Sequence, residues 1–489
     1  MKLPNPTGGY FPAWLRVALF LLCWAAAAWL KFGYHELWKD EWQAWLMARD
    51  MGWGELLGAL YYEGHPALWY LYLKVWTLFG WNEAWTIQIA HFLLLGLAGG
   101  LFWYFTRLRW WLSALLWLGY FPFFEYGIVN RGYILVMILG IALSGWLERP
   151  EKNRWLLAIG FFLFCQTEVY GVLLASVLPV YLFFRHGRWR AFKTAWFRMA
   201  LGGWVLGLLG FLVSVFPRAS GDELAHAYVG QPFGWEVLAK SFQGNWANAF
   251  LIGSIPDTNA FGVQPAGLFL SVLVMAAMAW FFRKAKAVAW TFWAFQIAFF
   301  LFSALLYTGG VRHWGMILVA WIIFLQLWAI DKPKWGWTEW LILGSVVFFQ
   351  VRYTALAIDR EVRFPYSNAA AAGAYIQKEI PAAIPIVAIN KFEATPVLGY
   401  AGRPFYALPD GEPFTYFKWV EKVYMPPEEE LGLFAAYKRV NLLVVMSPKP
   451  LDPQRYPNAR LIKAFDGPNL KMENYYLYSL FPDFSIDQN

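Results

Sequence analysis

Apolar residues run in long, nearly unbroken stretches through residues 13–357, parted by short clusters of charged and turn-forming residues. A helix that crosses a bilayer needs about 20 predominantly apolar residues. Reading each stretch to its polar breaks places spans near 13–32, 84–105, 110–123, 131–147, 154–168, 169–185, 196–215, 265–282, 287–307, 312–330 and 337–357, eleven in all. The stretch PALWYLYLKVWTLFG at 66–80 is short for a crossing and contains Lys74, so it is refused as a span. Together with the preceding EWQAWLMARDMGWGELLGAL it reads as two helices lying at the outer membrane surface. Trp42, Trp45, Leu46, Trp53, Leu56 and Leu57 recur there at helical spacing, as an interfacial helix requires.

The pattern changes beyond Asp359, where 15 of the 27 prolines fall. NAAAAGAYIQKEI reads as a helix, and PIVAIN and RVNLLVVM as short strands between turn residues. Helix and strand alternate, which predicts a small α/β domain. The expected organisation is therefore a polytopic α-helical membrane domain over 1–358 and an α/β domain over 359–489. The membrane domain has a first external loop at 33–83 and a second, long one at 217–264. No internal repeat of 20–50 residues is visible.

Composition supports this division. The chain of 489 residues is 59% hydrophobic and only 15% charged, against roughly 45–50% and about 25% for ordinary soluble chains. Its net charge of +8 comes from the membrane part, because the tail holds 14 basic and 15 acidic residues of the chain's 40 and 32. The connections RLR, ERPEKNR, RHGRWRAFK, RKAK and DKPK all carry Lys or Arg, which places them inside with the N terminus and leaves the tail outside. Topology thus accounts for the basic excess without nucleic acid as a partner. The first apolar run is too long for a signal core and reads as a retained span. Cys23 and Cys165 lie inside apolar runs and form no disulfide framework.

The first external loop carries the densest candidate chemistry. Asp40-Glu41 follows the first span directly, and Glu63-Gly64-His65-Pro66 comes about 22 residues later. Two adjacent carboxylates repel, raising one pKa, which suits a general base. The same residues also fit a helix start, with Asp40 as N-cap and Glu41 in the first turn.

One span, an Asp-Glu pair, an amphipathic helix and Glu-Gly-His-Pro-Ala-Leu-Trp-Tyr together resemble the first external loop of GT-C membrane glycosyltransferases. The protein O-mannosyltransferases and lipid A aminoarabinose transferases, the glycosyltransferase family 39-like group, are the nearest in pattern. Their loop carries His-Pro-Pro-Leu or Lys-Pro-Pro-Leu, whereas this chain has His65-Pro66-Ala67-Leu68. The sharp motif covers residues 39–70, while the likeness of topology extends over the whole chain. The resemblance implies a donor sugar linked to a polyprenyl phosphate. It also implies that Asp40 acts as the base that deprotonates an acceptor hydroxyl for attack on the anomeric carbon, with inversion, and it marks Glu41 as a second catalytic candidate.

Such a reaction needs cations facing the departing phosphate, and charges at membrane depth are functional candidates by default. Arg131 opens a span in FFEYGIVNRGYILV, and Arg312-His313 opens another after YTGG. The competing reading for each is a basic side chain reaching to the interface. Glu168, in FLFCQTEVYG, is a candidate for contacts with sugar hydroxyls or a residue of a wet loop. Glu63 and His65 are candidates for substrate binding through the matching motif. In the loop at 217–264, Asp222, Glu223, His226 and Asp257 match no metal template. Trp235 and Trp246 in that loop are candidates for stacking on a sugar above a covered groove. No cofactor is implied; a divalent cation at the Asp-Glu pair stays open, with the resemblance favouring none.

The expected function is a membrane glycosyltransferase of the cell envelope, hexosyl- or pentosyl-transferring. Its partners are a polyprenyl-phosphate sugar, membrane lipids and a lipid, glycan or protein acceptor. The alternative is a transporter or flippase of a lipid-linked substrate. That class favours paired halves and broken helices with charges near the midplane, whereas the polar residues of interest here gather at the external ends of spans. A scaffold protein would leave the Asp-Glu pair and His-Pro motif unexplained.

Overall fold

The computed structural model describes residues 13–215, 234–254, 263–331, 334–418 and 424–480. Apolar helices occupy all eleven positions at which spans are expected. Helix α1 is Ala13–Gly33, α2 Lys39–Asp50, α3 Trp53–Glu63, α4 Ala67–Thr77 and α5 Glu83–Phe105. Then come α6 Trp110–Trp117, α7 Tyr133–Trp146, α8 Arg154–Phe164, α9 Val169–Arg185 and α10 Ala195–Val215. Four further long helices follow at Pro265–Phe282, Lys286–Leu305, Val311–Ala329 and Trp337–Arg363.

Among the described residues, seven of these helices are long and apolar enough to cross a membrane: α1, α5, α10 and the last four. The chain is an integral membrane protein; length and composition alone qualify seven of the expected eleven spans. Helices α7, α8 and α9 are apolar but shorter. Helix α6 stops after eight residues, and the chain continues into a wide-wound turn at Tyr120–Glu125 that contains Pro122.

The chain divides into two compact units. The first comprises residues 1–30, 60–69 and 91–358, and the second 31–59, 70–90 and 359–489. The change of composition at 358/359 coincides with a boundary, yet most of the loop at 33–83 belongs with the tail. Small residues let helices of the first unit approach closely. A Cβ on Gly203 would lie 2.0 Å from the Ala158 carbonyl oxygen, and one on Gly207 2.8 Å from that of Phe162. The spacing of four residues puts both glycines on the face of α10 that meets α8, the small-residue contact used where lipid supplies no hydrophobic drive.

Two expectations for the loop at 33–83 are corrected in the structure. It holds three helices rather than two, because the chain turns extended at Met51 and restarts at Trp53. Helix α2 is moreover not a one-sided surface helix, since every residue from Glu41 to Ala48 is buried. Its packing partner within the second unit is the Lys391–Ala401 helix. The Trp42 ring seats on Gly399, where a Cβ would come within 2.3 Å. The Leu37 N–H donates to the Tyr400 hydroxyl at 2.7 Å, and Lys39 pairs with Glu393 at 2.8 Å. The Gln43 amide exchanges hydrogen bonds with the Phe417 backbone, donating to its carbonyl and accepting from its N–H.

Lys74, on α4, is 8% exposed. Its ammonium donates to the Met51 and Arg49 carbonyls at 2.5 and 3.3 Å, capping the C-terminal end of α2.

The tail contributes a six-stranded sheet in the order β3-β2-β1-β4-β6-β5. The strands are β1 Ile386–Ala388, β2 Phe405–Ala407, β3 Glu412–Phe414, β4 Leu443–Ser447, β5 Ala459–Phe465 and β6 Tyr475–Leu480. Strand β1 runs parallel to β2 and β4, and the remaining pairs are antiparallel. The expected strands at PIVAIN and RVNLLVVM are β1 and β4, and NAAAAGAYIQKEI forms the helix Ala369–Glu379. Both central strands are buried throughout, which is why they read as continuous apolar runs.

Candidate active site

In the first unit, the polar residues singled out from the sequence converge on the start of α7, the start of α9 and the start of the Val311–Ala329 helix. Glu168 is the extended residue that precedes α9. It sits 5% exposed, and its Oε2 lies 2.7 Å from Nδ1 of His65, itself 28% exposed. The adjacent backbone is joined as well, the Leu68 N–H donating to the Gln166 carbonyl at 3.1 Å. A carboxylate on one ring nitrogen fixes the tautomer and leaves Nε2 as the working atom of the imidazole. Gly132 brings the α7 loop against the same place, since a Cβ there would lie 2.8 Å from Glu168 Oε1 and 3.0 Å from Trp69 Cβ. Glu63, at the end of α3, is buried.

Arg131 and Arg312 are brought to one cluster of aromatic hydroxyls. The Arg131 guanidinium lies 5.8 Å from the Tyr133 ring, and both arginines act electrostatically on the Tyr133 hydroxyl. His313 packs edge-on against Tyr133 and Tyr307, with ring centroids 6.0 and 5.1 Å away, and its ring is tilted against that of Tyr170 at 5.8 Å. Its Nδ1 accepts from the Gly310 N–H at 2.8 Å, which holds the ring at the helix start. Tyr126 donates to the Arg312 carbonyl. The Tyr133 hydroxyl is buried and has no hydrogen-bond partner among the described residues. Two guanidiniums, an orphaned hydroxyl and a histidine together suit an anion with several acceptor oxygens. Tyr126, Tyr133, Tyr170 and Tyr307 were not among the sequence candidates. In a chain with 26 tyrosines, periodicity does not separate these four from the core.

In the second unit, Asp40 and Glu41 have different surroundings. The residue preceding α2 is Trp38, so Asp40 is not the N-cap but lies in the first turn, partly exposed. Glu41 is turned inward. Its Oε2 accepts from the Trp38 N–H at 3.0 Å, as a carboxylate at the third helical position does. Its Oε1 lies 3.1 Å from His35 Nε2. Both oxygens of Glu41 are thus engaged and its side chain is sealed from solvent.

Burial works against a charge on His35, but the pull of Glu41 and Glu361 and their hydrogen bonds outweigh it, raising its pKa to about 9. Burial likewise pushes the Glu36 carboxyl up to about 7, and does the same to Glu473, whose Oε2 accepts from Ser367.

Of the loop at 217–264, Asp222, Glu223, His226 and Asp257 lie outside the described residues. Trp235 is 79% exposed, whereas Trp246 is 5% exposed and packed against Phe250, Phe292 and Trp293. Trp246 is therefore a core residue and not a platform for sugar. Among the described residues, no three His, Cys, Asp or Glu side chains are grouped to hold a metal ion.

No protein-family model and no curated protein matches the chain. Among solved structures, it is similar to ArnT from Cupriavidus metallidurans bound to undecaprenyl phosphate, at 13% identity and a TM-score of 0.54. It is also similar to the same protein in the apo state, at 13% identity and a TM-score of 0.56. Both alignments cover 95% of this chain and 97% of the other. The fold is thus the one implied by the resemblance: an ArnT-like helical membrane body with a small C-terminal sheet domain.

Proposed function

We propose that this chain is a membrane glycosyltransferase that moves a sugar from a polyprenyl-phosphate-linked donor to an acceptor hydroxyl, with inversion. The observation that carries this reading is the likeness in fold, over nearly the full length of both chains, to a protein crystallised with undecaprenyl phosphate. In this reading Asp40 takes the acceptor proton as the oxygen attacks the anomeric carbon, and the bond to the phosphate oxygen breaks. Arg131, Arg312 and His313 face the negative charge that develops on the departing phosphate, with Tyr133 as a neutral donor beside them. His65, oriented by Glu168, presents Nε2 to donor or acceptor, and Glu63 adds a carboxylate. The Lys- and Arg-bearing connections support a cytoplasmic N terminus and an external or periplasmic C-terminal domain in an inner membrane. The acceptor is a hydroxyl of a lipid, glycan or protein.

Mass spectrometry of lipid co-purified from the native membrane identifies the donor, and transfer is then assayed with that lipid. Asp40→Asn is expected to abolish transfer while expression is unchanged. Retained transfer removes Asp40 as the base, and absence of any polyprenyl-phosphate species refutes the donor class.

A further inference from the structure

Four ionisable side chains are buried together in the second unit: Lys31, His35, Glu41 and Glu361. His35 stands between the two carboxylates, with Nε2 3.1 Å from Glu41 Oε1 and Nδ1 2.7 Å from Glu361 Oε1, and both pairs are fully shielded from solvent. Ionised carboxylates only accept hydrogen bonds, and a neutral imidazole has a single N–H. Donating to both therefore requires the doubly protonated ring. Lys31 acts on both carboxylates through space and so helps to offset their charge. A buried ion set of this kind is costly to break from one side, because the remaining charge is left uncompensated.

The other groups facing His35 come from every element around it. Glu36, the next residue in the chain, interacts with His35 and Glu361, and Lys471, from the β5–β6 connection, acts on Glu361. The edge of Tyr366 meets the His35 ring at 4.6 Å, and the Gln88 amide donates to the His35 carbonyl at 2.8 Å.

Glu41 is also the residue that closes the first turn of α2 through the Trp38 N–H, and Asp40 stands beside it in that turn. We propose that His35 is a positioning residue: as a buried imidazolium bridging Glu41 and Glu361, it ties the turn that carries Asp40 to the end of the Trp337–Arg363 helix. The functional half of this statement rests on Asp40 being the base; the clamp itself does not. Losing the ring's charge leaves two adjacent buried carboxylates, and the first turn of α2 must then loosen to admit water or a proton.

The test uses the full chain in lipid nanodiscs and hydrogen exchange over residues 39–50, corrected for the intrinsic pH dependence of amide exchange. In the wild type the first turn is expected to be protected at pH 7 and to lose protection near and above pH 9. His35→Gln is expected to exchange at least about tenfold faster at pH 7, without the alkaline step. His35→Gln/Glu361→Gln, which removes one charge of each sign, is expected to regain most of the protection. An unchanged profile in His35→Gln, or a double variant no better than the single, overturns the clamp. If the clamp holds while Asp40→Asn retains transfer, the reading of Asp40 falls and the clamp stands. If His35→Gln does not accumulate, ¹⁵N-histidine spectra of the wild type, assigned by variants of the other histidines, decide. Both ring nitrogens protonated at pH 8 supports the clamp, and a neutral ring at pH 7 overturns it.

Discussion

Coupling between His65 and Glu168 can be measured without knowing the substrate. The pair joins the loop after α3 to the start of α9 by one contact of 2.7 Å, with the carboxylate 5% and the imidazole 28% exposed. A hydrogen bond to a charged group contributes about 1.5–3 kcal/mol, and partial exposure of the ring moves the expectation to about 1.5–2 kcal/mol. His65→Ala leaves the buried carboxylate without the ring, whereas Glu168→Gln keeps an acceptor for the ring N–H. The first single variant should therefore cost more than the second, and the double variant less than their sum. Exchange of the Leu68 amide, bound to the Gln166 carbonyl, reports opening of this loop directly. Since about 1.4 kcal/mol is a factor of ten, the cost of His65→Ala should be roughly 10–30-fold larger in exchange rate in the wild-type background than in the Glu168→Gln background. Additivity within about 0.5 kcal/mol would show that the two side chains do not work together.

Three more outcomes follow from the geometry. Gly399→Ala places a Cβ 2.3 Å from the Trp42 ring, and overpacking of this kind costs about 1–3 kcal/mol; exchange over residues 39–50 should rise, while a silent substitution would show the packing to be loose. His35 binds a proton more tightly folded than unfolded, so its contribution is complete below pH 6.5 and is lost as pH rises to about 9. At 1.36 kcal/mol per pH unit that window removes about 3 kcal/mol of His35's own contribution, so the stability gap between the wild type and His35→Gln, read from denaturant titrations in detergent, should shrink by that order between pH 6.5 and 9.5. Arg131→Ala and Arg312→Ala should each weaken binding of undecaprenyl phosphate, measured by native mass spectrometry, by tenfold or more, and unchanged binding by both would remove the cluster as a phosphate site.

The sheet strands β1 and β4 were legible because strands buried on both faces have no polar alternation to hide them. The apolar helices were legible because lipid demands long runs of one character. The surface-helix reading of α2 failed for an identifiable reason. Its apolar residues do recur at helical spacing, but Gln43 and Glu41, which look like a polar face, are satisfied internally by Phe417 and His35. Helical spacing records which positions are apolar and not what covers them. Which of Asp40 and Glu41 is buried was equally closed to sequence reading, since the directions of adjacent carboxylates in one helical turn are set only once the helix start is known.

Composition and hydropathy alone determined that this is a membrane protein with a mixed α/β tail, and local motif singled out residues 39–70 and the polar ends of spans as candidates for its chemistry. Only the tertiary structure decided that Glu41 is sealed behind His35, that Glu168 meets His65, and that Arg131 and Arg312 both act on the Tyr133 hydroxyl. These are contacts over long separations, 326 residues from His35 to Glu361 and 103 from His65 to Glu168. A charge at such a distance has no signature in its neighbours along the chain, because what fixes its state is the group that folding sets against it.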